Sequence, residues 1–372
     1  MKRLSALRFH TLQIPFRERF RHASAEREAT SSVWIEAVGA DGRIGVGEGC
    51  PRPYVTGETL ESAAAFFSAV RASVLADIRD VDSLRAWVAG HAAQIDRNPA
   101  AWCAIELALV DLFARQAGQS AEAWLGLPET AGTFTYSAVL GDADLPAFAA
   151  TVARYRDVDM RDFKLKLSGD LARDQAKIEI LREAGTAVAR LRLDANNLWQ
   201  DLDSALGYLA ALDAPAFAVE EPLSTSLRAD LPGLAQASGM AVILDESLCR
   251  IKELDALATG TRWIPNLRVS KLGGVLRTLA LVNAARARGL ALIVGAQVGE
   301  TSLLTRVALV AARAAGDALV AQEGAFGTLL LERDVCTPLM FGRGGALSFE
   351  SGGAGWGLAC APDAAWLREG AR

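Results

Sequence analysis

The sequence predicts an α/β protein: a (β/α)8-type, modified TIM barrel preceded by an α+β capping domain. Five charged residues, each at or near the end of a short apolar run, recur down the middle of the chain. They are Lys166 in FKLKL, Asp194 in ARLRLD, Glu220 in FAVEEP, Asp245 in AVILDE and Lys271 in LRVSK. The steps are 28, 26, 25 and 26 residues, about one strand-plus-helix unit of such a barrel each. From about Thr133 the segments also alternate strand and helix, whereas the chain before that point groups strands first and helices second. Strand ends in a barrel point into one mouth, so residues far apart in sequence meet there.

The N-terminal 48 residues read as antiparallel β. RLSALRFHTLQIPF and TSSVWIEAVGADGRIGVGEG carry short alternating runs, and ADG at 40–42 marks a hairpin turn. From Thr59 to Gly118 the pattern becomes helical, clearest in AAWCAIELALVDLFARQAG. The eight expected barrel strands are 134–140, 162–167, 189–195, 217–221, 241–245, 263–270, 290–296 and 318–322. Ala-rich helices lie between them, several ending at Gly in the manner of helix C-caps. The expected division is a cap over 1–125, a barrel over 126–325 and a Gly-rich tail over 326–372 that packs back on the cap.

Composition narrows the function classes. The chain has 372 residues, 51% hydrophobic and 22% charged, as in a globular enzyme with a large core. A net charge of −5 provides no basic stripe, so nucleic acid is not an expected partner. No signal peptide is read at the N-terminus, and arginines interrupt LALVNAARARGLALIVGA, so no membrane span is expected. Cys50, Cys103, Cys249, Cys336 and Cys360 show no CxxC spacing and are expected to be free thiols in a reducing cytoplasm.

Asp194, Glu220 and Asp245 are hard oxygen ligands on three successive strands, a donor set suited to Mg²⁺ or Mn²⁺. Without a cation, clustered carboxylates would raise one another's pKa. Lys164 and Lys166 form K-x-K on one strand, so both point to the same face. Two ammonium groups side by side should drive one pKa toward neutrality and make a general base. Lys271 is expected from the opposite side, four strands away. Metal ligands and bases belong together because abstracting a proton alpha to a carboxylate builds charge that a Lewis acid stabilises.

The motifs K-L-K (164–166), D-A-N (194–196), V-E-E-P (219–222), D-E-S (245–247) and S-K-L-G-G (270–274) resemble those of the enolase superfamily, in particular its muconate lactonizing enzyme subgroup. The resemblance covers nearly the whole chain. It implies Asp194, Glu220 and Asp245 as metal ligands, and Lys166 and Lys271 as the acid/base pair with Lys164 tuning Lys166. Sites of that superfamily pair lysine or histidine bases with magnesium. The resemblance further implies Asn196 behind the ligands and Glu246 orienting Lys271. The mandelate racemase branch, which uses a barrel histidine, is excluded because His10, His22 and His91 all precede the barrel.

FRERFRHASAER (16–27) and GEGCPRPYVTGET (47–59) resemble the family's specificity loops, with Arg17, Arg19, His22, Arg52 and Tyr54 as candidate substrate contacts. Glu300, in GAQVGETSL, is expected either to line the pocket or to cap a helix with Thr301 and Ser302. Dipeptide epimerases of the subgroup carry D-x-D at the end of strand 8 for the substrate's amino group. Here QEGAFGT offers Glu323 alone, which favours an anionic or N-acylated substrate. The expectation is thus a Mg²⁺- (or Mn²⁺-) dependent cytoplasmic homo-oligomer that removes the alpha proton of a small-molecule carboxylate. Racemisation or epimerisation of an N-acyl amino acid leads. The alternatives are muconate-type cycloisomerisation, dehydration of the o-succinylbenzoate synthase kind, and a non-catalytic binding barrel.

Overall fold

The computed structural model describes residues 4–22, 25–184 and 190–369, and for 18–22, 25–26 and 369 the backbone alone. The cap opens with β1 (Leu4–Leu12), β2 (Pro15–His22), β3 (Ala25–Ala29), β4 (Ser32–Gly39) and β5 (Ile44–Gly49). Strands β2 and β3 form a separate hairpin. Strands β4 and β5 pair through the expected turn, with Gly42 at φ 80° supplying the left-handed residue.

The cap's core explains an otherwise odd G-V-G-E-G run. Gly45, Gly47 and Gly49 all face the helix Pro99–Ala117, and a Cβ on any of them would strike that helix's backbone at Leu112, Ala104 and Ala100 respectively. Helix and sheet therefore meet without intervening side chains, and 16 of the helix's 19 residues are buried. Gly47→Ala should push the helix off β5 and cost at least the ~1–3 kcal/mol of an overpacked core. Thermal unfolding checks this; an unchanged midpoint would contradict the packing.

The barrel follows. After β6 (Gly132–Thr135) come eight strands: β7 (Ala138–Leu140), β8 (Asp162–Lys166), β9 (Arg190–Asp194), β10 (Ala218–Glu220), β11 (Ala241–Leu244), β12 (Trp263–Leu267), β13 (Leu292–Val294) and β14 (Leu319–Gln322). They are hydrogen-bonded in sequence order, every pair parallel. Ser137 bridges the first strand to the last, its N and Oγ donating to Gln322 O at 2.8 and 2.7 Å. Ala218, Ala241, Ile243, Ile264, Ile293 and Ala321 form a second buried cluster apart from the main core. Alternation along β10 puts Ala218 on the same face as Glu220, so this apolar layer lies beneath the charged mouth.

Two strands differ from expectation. The segment 134–140 is broken: β6 pairs antiparallel with β15 (Ala346–Phe349), and only β7 joins the barrel. The segment 263–270 stops at Leu267, because Val269–Leu272 coils into a helical turn closed by Gly273 at φ 82°. That shift changes which residue stands at the end of the sixth barrel strand.

The tail returns to the cap, where β16 (Leu367–Glu369) pairs antiparallel with β1. It also corrects the expectation of five free thiols. Cys336 and Cys360 face each other across an antiparallel bridge and are joined as a disulfide, while Cys50, Cys103 and Cys249 remain free. A separation of 24 residues carries no motif, so only the pairing of the backbone could reveal it. The cysteines therefore no longer argue for a reducing compartment. Among the described residues no helix is long and apolar enough to cross a membrane.

Cap and barrel are joined by buried polar contacts that fix the loops around the mouth. Cys50 N donates to Ser270 Oγ (2.7 Å), and Glu48 accepts from Thr301 N and Oγ at the start of the helix Ser302–Ala315. Glu106 accepts from Leu276 N at the start of the helix Val275–Ala287. Both carboxylates sit where a helix presents its unpaired N–H groups.

Candidate active site

A cavity of about 510 Å³ opens at the C-terminal ends of the barrel strands. Lys164, Lys166, Asp194, Asn196, Glu246, Arg268, Glu300 and Glu323 supply charge and polarity to its wall, and the cap contributes Tyr54. Arg154, Gln297, Thr305 and Arg343 also reach the wall, and apolar residues such as Val139, Phe326, Leu330 and Phe341 line much of the remainder.

The register of the sheet brings the expected residues together. Lys166 pairs with Asp194, and Asp194 with Glu220, across adjacent strands; Asp245 follows β11 immediately. Lys166 Nζ donates to Asp194 Oδ2 at 2.8 Å. Lys164 Nζ lies 3.1 Å from Asp194, 2.8 Å from Glu220 and 3.4 Å from Glu323. Asn196 donates its side-chain amide to Asp194 Oδ1 at 2.8 Å. Its φ of 47° turns the chain back toward the ligand, a conformation that Asn tolerates well.

The electrostatics set which member of K-x-K is the fixed charge. Burial alone would lower the Lys164 pKa, but Asp194, Glu220 and Glu323 outweigh it and raise the pKa, so Lys164 is a firm cation and not a near-neutral base. Burial would likewise raise the Asp194 pKa, yet Lys164 and Lys166 hold it well below the usual carboxylate range. Burial does prevail at Glu246, pushed up to about 7, with Glu221, Glu220 and Asp194 adding to the rise. It prevails also at Glu300, raised to about 8.

Lys271 is not where the sequence placed it. Its amine is fully buried and donates to Asp245 O (2.6 Å), Asp245 Oδ1 (3.0 Å) and Asn266 O (2.8 Å). It is absent from the cavity wall. The reason is the early end of β12: Arg268 takes the strand-end position, and Lys271 falls on the helical turn behind Asp245. Glu246, expected to orient Lys271, forms no hydrogen bond with it among the described residues; Asp245 and two backbone carbonyls do that instead.

The remaining candidates divide. Glu300 lines the cavity while its Oε1 accepts from Gln297 N at 2.7 Å; the cap of the following helix is Thr301, whose hydroxyl accepts from Leu303 N. Tyr54 lines the cavity beneath the Arg27 guanidinium, 5.8 Å from the ring centre. Arg52 and Arg17 are structural: Arg52 donates to Ser31 O, Pro51 O and Val298 O, and Arg17 to Leu331 O and Glu332 O. The side chains of Arg19 and His22 lie outside the described residues.

Four further residues had no role in the sequence reading. Glu221 (φ 38°) accepts from Asp245 N, Ser247 N and Ser247 Oγ, which fixes the loop that carries Asp245. Asn266 donates to Glu220 Oε1 at 3.3 Å. Arg192, buried on β9, donates to Glu323 at 2.8 Å and to Asp162 at 3.0 Å. Arg268 is ion-paired with Asp245 and donates to Gln297 Oε1 at 2.9 Å. The doubled acid of VEEP and the Arg in LRVSK were the available signals.

Whether the carboxylates suit a divalent cation can be tested on the atoms present. Asp194, Glu220 and Asp245 are all buried, and Glu220 Oε2 and Asp245 Oδ2 each face a side-chain cation, Lys164 and Arg268 respectively. Their charge is balanced by ammonium and guanidinium groups. Among the described residues no three His, Cys, Asp or Glu side chains converge as a finished metal site. Lys164 lies between Asp194 and Glu220 and Arg268 lies on Asp245, so the carboxylates are turned to side-chain cations. The donor chemistry, three hard anionic oxygens on consecutive strand ends, fits Mg²⁺ or Mn²⁺.

The Enolase C-terminal domain-like family matches residues 147–364. The chain is 30% identical over 304 residues to an aromatic dipeptide epimerase of Herpetosiphon aurantiacus, covering 79% of this chain and 82% of that one. A hydrophobic dipeptide epimerase of Roseobacter litoralis is 30% identical over 301 residues, with 79% and 83% covered. Among solved structures, a dipeptide epimerase of Cytophaga hutchinsonii complexed with Mg and D-Ala-L-Val superposes with a TM-score of 0.86 at 22% identity, covering 98% of both chains. One from Methylococcus capsulatus, complexed with Mg and L-Arg-D-Lys, gives 0.82 at 26% identity, with 96% and 99% covered.

Proposed function

Since this chain belongs to the enolase superfamily and is an isomerase whose kin are racemases and epimerases, we propose that it removes the alpha proton of an N-acylated amino acid lacking a free ammonium group. Lys166 is the base in this reading. The observation that carries it is the placement of the Lys166 amine on the cavity wall, 2.8 Å from Asp194 and beside the carboxylate cluster. A base within hydrogen-bond reach of the reacting carbon and next to a site for the carboxylate is what alpha-proton abstraction needs.

Asp194, Glu220 and Asp245 would hold Mg²⁺ or Mn²⁺. Bound there, the cation would stabilise the negative charge that grows on the substrate's carboxylate oxygens. Lys164 and Asn196 keep Asp194 in place by the contacts described above.

The absent ammonium follows from strand 8. Glu323, its one acid there, is already neutralised by Arg192 at 2.8 Å and Lys164 at 3.4 Å. Two residues on, Ala325 lines the cavity with a methyl group. A dipeptide's ammonium would enter a mouth with no free acid to receive it on this strand, at the desolvation cost of an unpaired charge. An acetyl or succinyl cap avoids that cost.

The test is a screen of N-acetyl and N-succinyl amino acids, with free dipeptides alongside, in D₂O with Mg²⁺, followed by NMR. Alpha-deuterium should appear in the N-acylated compounds. Exchange in free dipeptides alone would overturn the substrate class, and no exchange anywhere would overturn the chemistry.

A further inference from the structure

We infer that Arg268, and not Lys271, is the cation opposite Lys166 across the cavity, a fixed anchor for negative charge, and that amine-mediated proton transfer is confined to the β8 side. The inference rests on the reading of Lys166 as the base.

The topology sets the two positions. Lys166 ends β8 and Arg268 follows β12, four strands on in an eight-strand ring, so they stand on opposite sides of the mouth. Both line the cavity, and their side chains are 13% and 11% exposed. Lys271 is 0% exposed. An ammonium has three donors, and all three of Lys271's are committed, two of them to the backbone carbonyls of Asp245, just after β11, and Asn266 in β12. It locks the end of β11 to the end of β12. Ser270, its neighbour, is held by the cap through Cys50 N, so the turn is fixed from above as well. Among the described residues, every lysine on the cavity wall belongs to β8.

The chemistry of the two side chains then differs. A guanidinium offers five N–H donors and no acceptor, so it can hold a carboxylate or a growing oxyanion but has no lone pair with which to take a proton. Arg268 already does this to Asp245, and Gln297 steadies it from β13's loop. In the forward step the Lys166 amine takes the alpha hydrogen as a proton, and the C–H pair moves into the carboxylate to give an enediolate. In return the same ammonium, or its deuterated form after exchange with solvent, gives a proton or deuteron back to that carbon from the same face. Exchange with retention therefore outpaces inversion. One-faced proton chemistry with a cation opposite is also what a cycloisomerase or dehydratase requires.

Two experiments decide the matter. In D₂O with Mg²⁺ and an N-acetyl or N-succinyl amino acid found in the screen above, the wild type should exchange one enantiomer's alpha hydrogen at least about 10-fold faster than it inverts it. Arg268→Lys, which places an amine on the second face, should raise inversion relative to exchange. Arg268→Met should raise KM more than it lowers kcat, and Lys271→Met should leave the exchanging enantiomer the same, lowering its exchange and its inversion by the same factor. Equal rates of exchange and inversion in the wild type, with Lys271→Met silencing one enantiomer only, would overturn the inference. The second experiment needs no substrate. Reductive methylation of the folded protein, read by peptide mass spectrometry, should modify Lys166 well before Lys271, and equal reactivity would overturn the assignment of Lys271 as sealed. A protein that exchanges nothing yet protects Lys271 refutes the proposed chemistry while leaving the architecture of the second face intact.

Discussion

Lys166→Ala should cut alpha-deuterium exchange into N-acylated amino acids by about 10²–10⁴-fold, the range over which a positioned general base acts. The loss should fall on kcat, since the amine acts on the alpha carbon and not on the carboxylate. The fold should survive it. Lys166 is partly open to the cavity, and Asp194 keeps Lys164 at 3.1 Å and the Asn196 amide at 2.8 Å when the second lysine is gone. Near-wild-type circular dichroism with exchange undiminished would remove Lys166 from the mechanism.

Glu220→Gln should abolish Mg²⁺ binding, and with it activity, while EDTA should silence the wild type reversibly. Glu220 is the central member of the carboxylate row, buried, with Lys164 on one side and Asn266 on the other. Neutralising it leaves Lys164 paired to Asp194 and Glu323, so the cost of an abandoned buried charge is partly avoided. The readout that does not depend on turnover is thermal. Saturating Mg²⁺ at about 100 times its Kd should stabilise the wild type by about 2.7 kcal/mol through mass action, and should leave the variant's midpoint where it was. A wild type whose midpoint ignores Mg²⁺, or full activity after EDTA, would contradict the metal reading.

Much of this site was legible because barrel geometry turns a sequence period into a spatial cluster. Asp194 and Glu220 each end a short apolar strand and Asp245 directly follows one, at nearly equal steps, and the register sets them side by side. K-x-K was legible for the same reason, as alternation along one strand puts both amines on one face. The sixth strand was not legible. LRVSK looks extended, with a β-branched residue at its centre, yet tertiary contacts coil Val269–Leu272, and a shift of three residues exchanges an arginine for a lysine at the mouth. Lys164's charge state was also beyond reach. The like-charge argument considered its neighbour on β8, whereas Glu323, over 150 residues away, and the two row carboxylates decide the sign. Glu300 could not be resolved either, because lining a cavity and neighbouring a helix cap look the same in GETS.

The pairing of β16 with β1 makes the order of synthesis matter. Strand β1 leaves the ribosome well before its outer neighbour, Leu367–Glu369, which lies more than 350 residues further along the chain. Until then one edge of β1 presents unpaired N–H and C=O groups, a template for any other extended chain. The whole barrel must be translated while that edge waits. Contacts spanning more than 350 residues also make the loop-closure step a long one. Crowded nascent chains are thus exposed to mispairing at β1, and the charged Arg8 on this strand, paired to Glu36, is the kind of residue that discourages it.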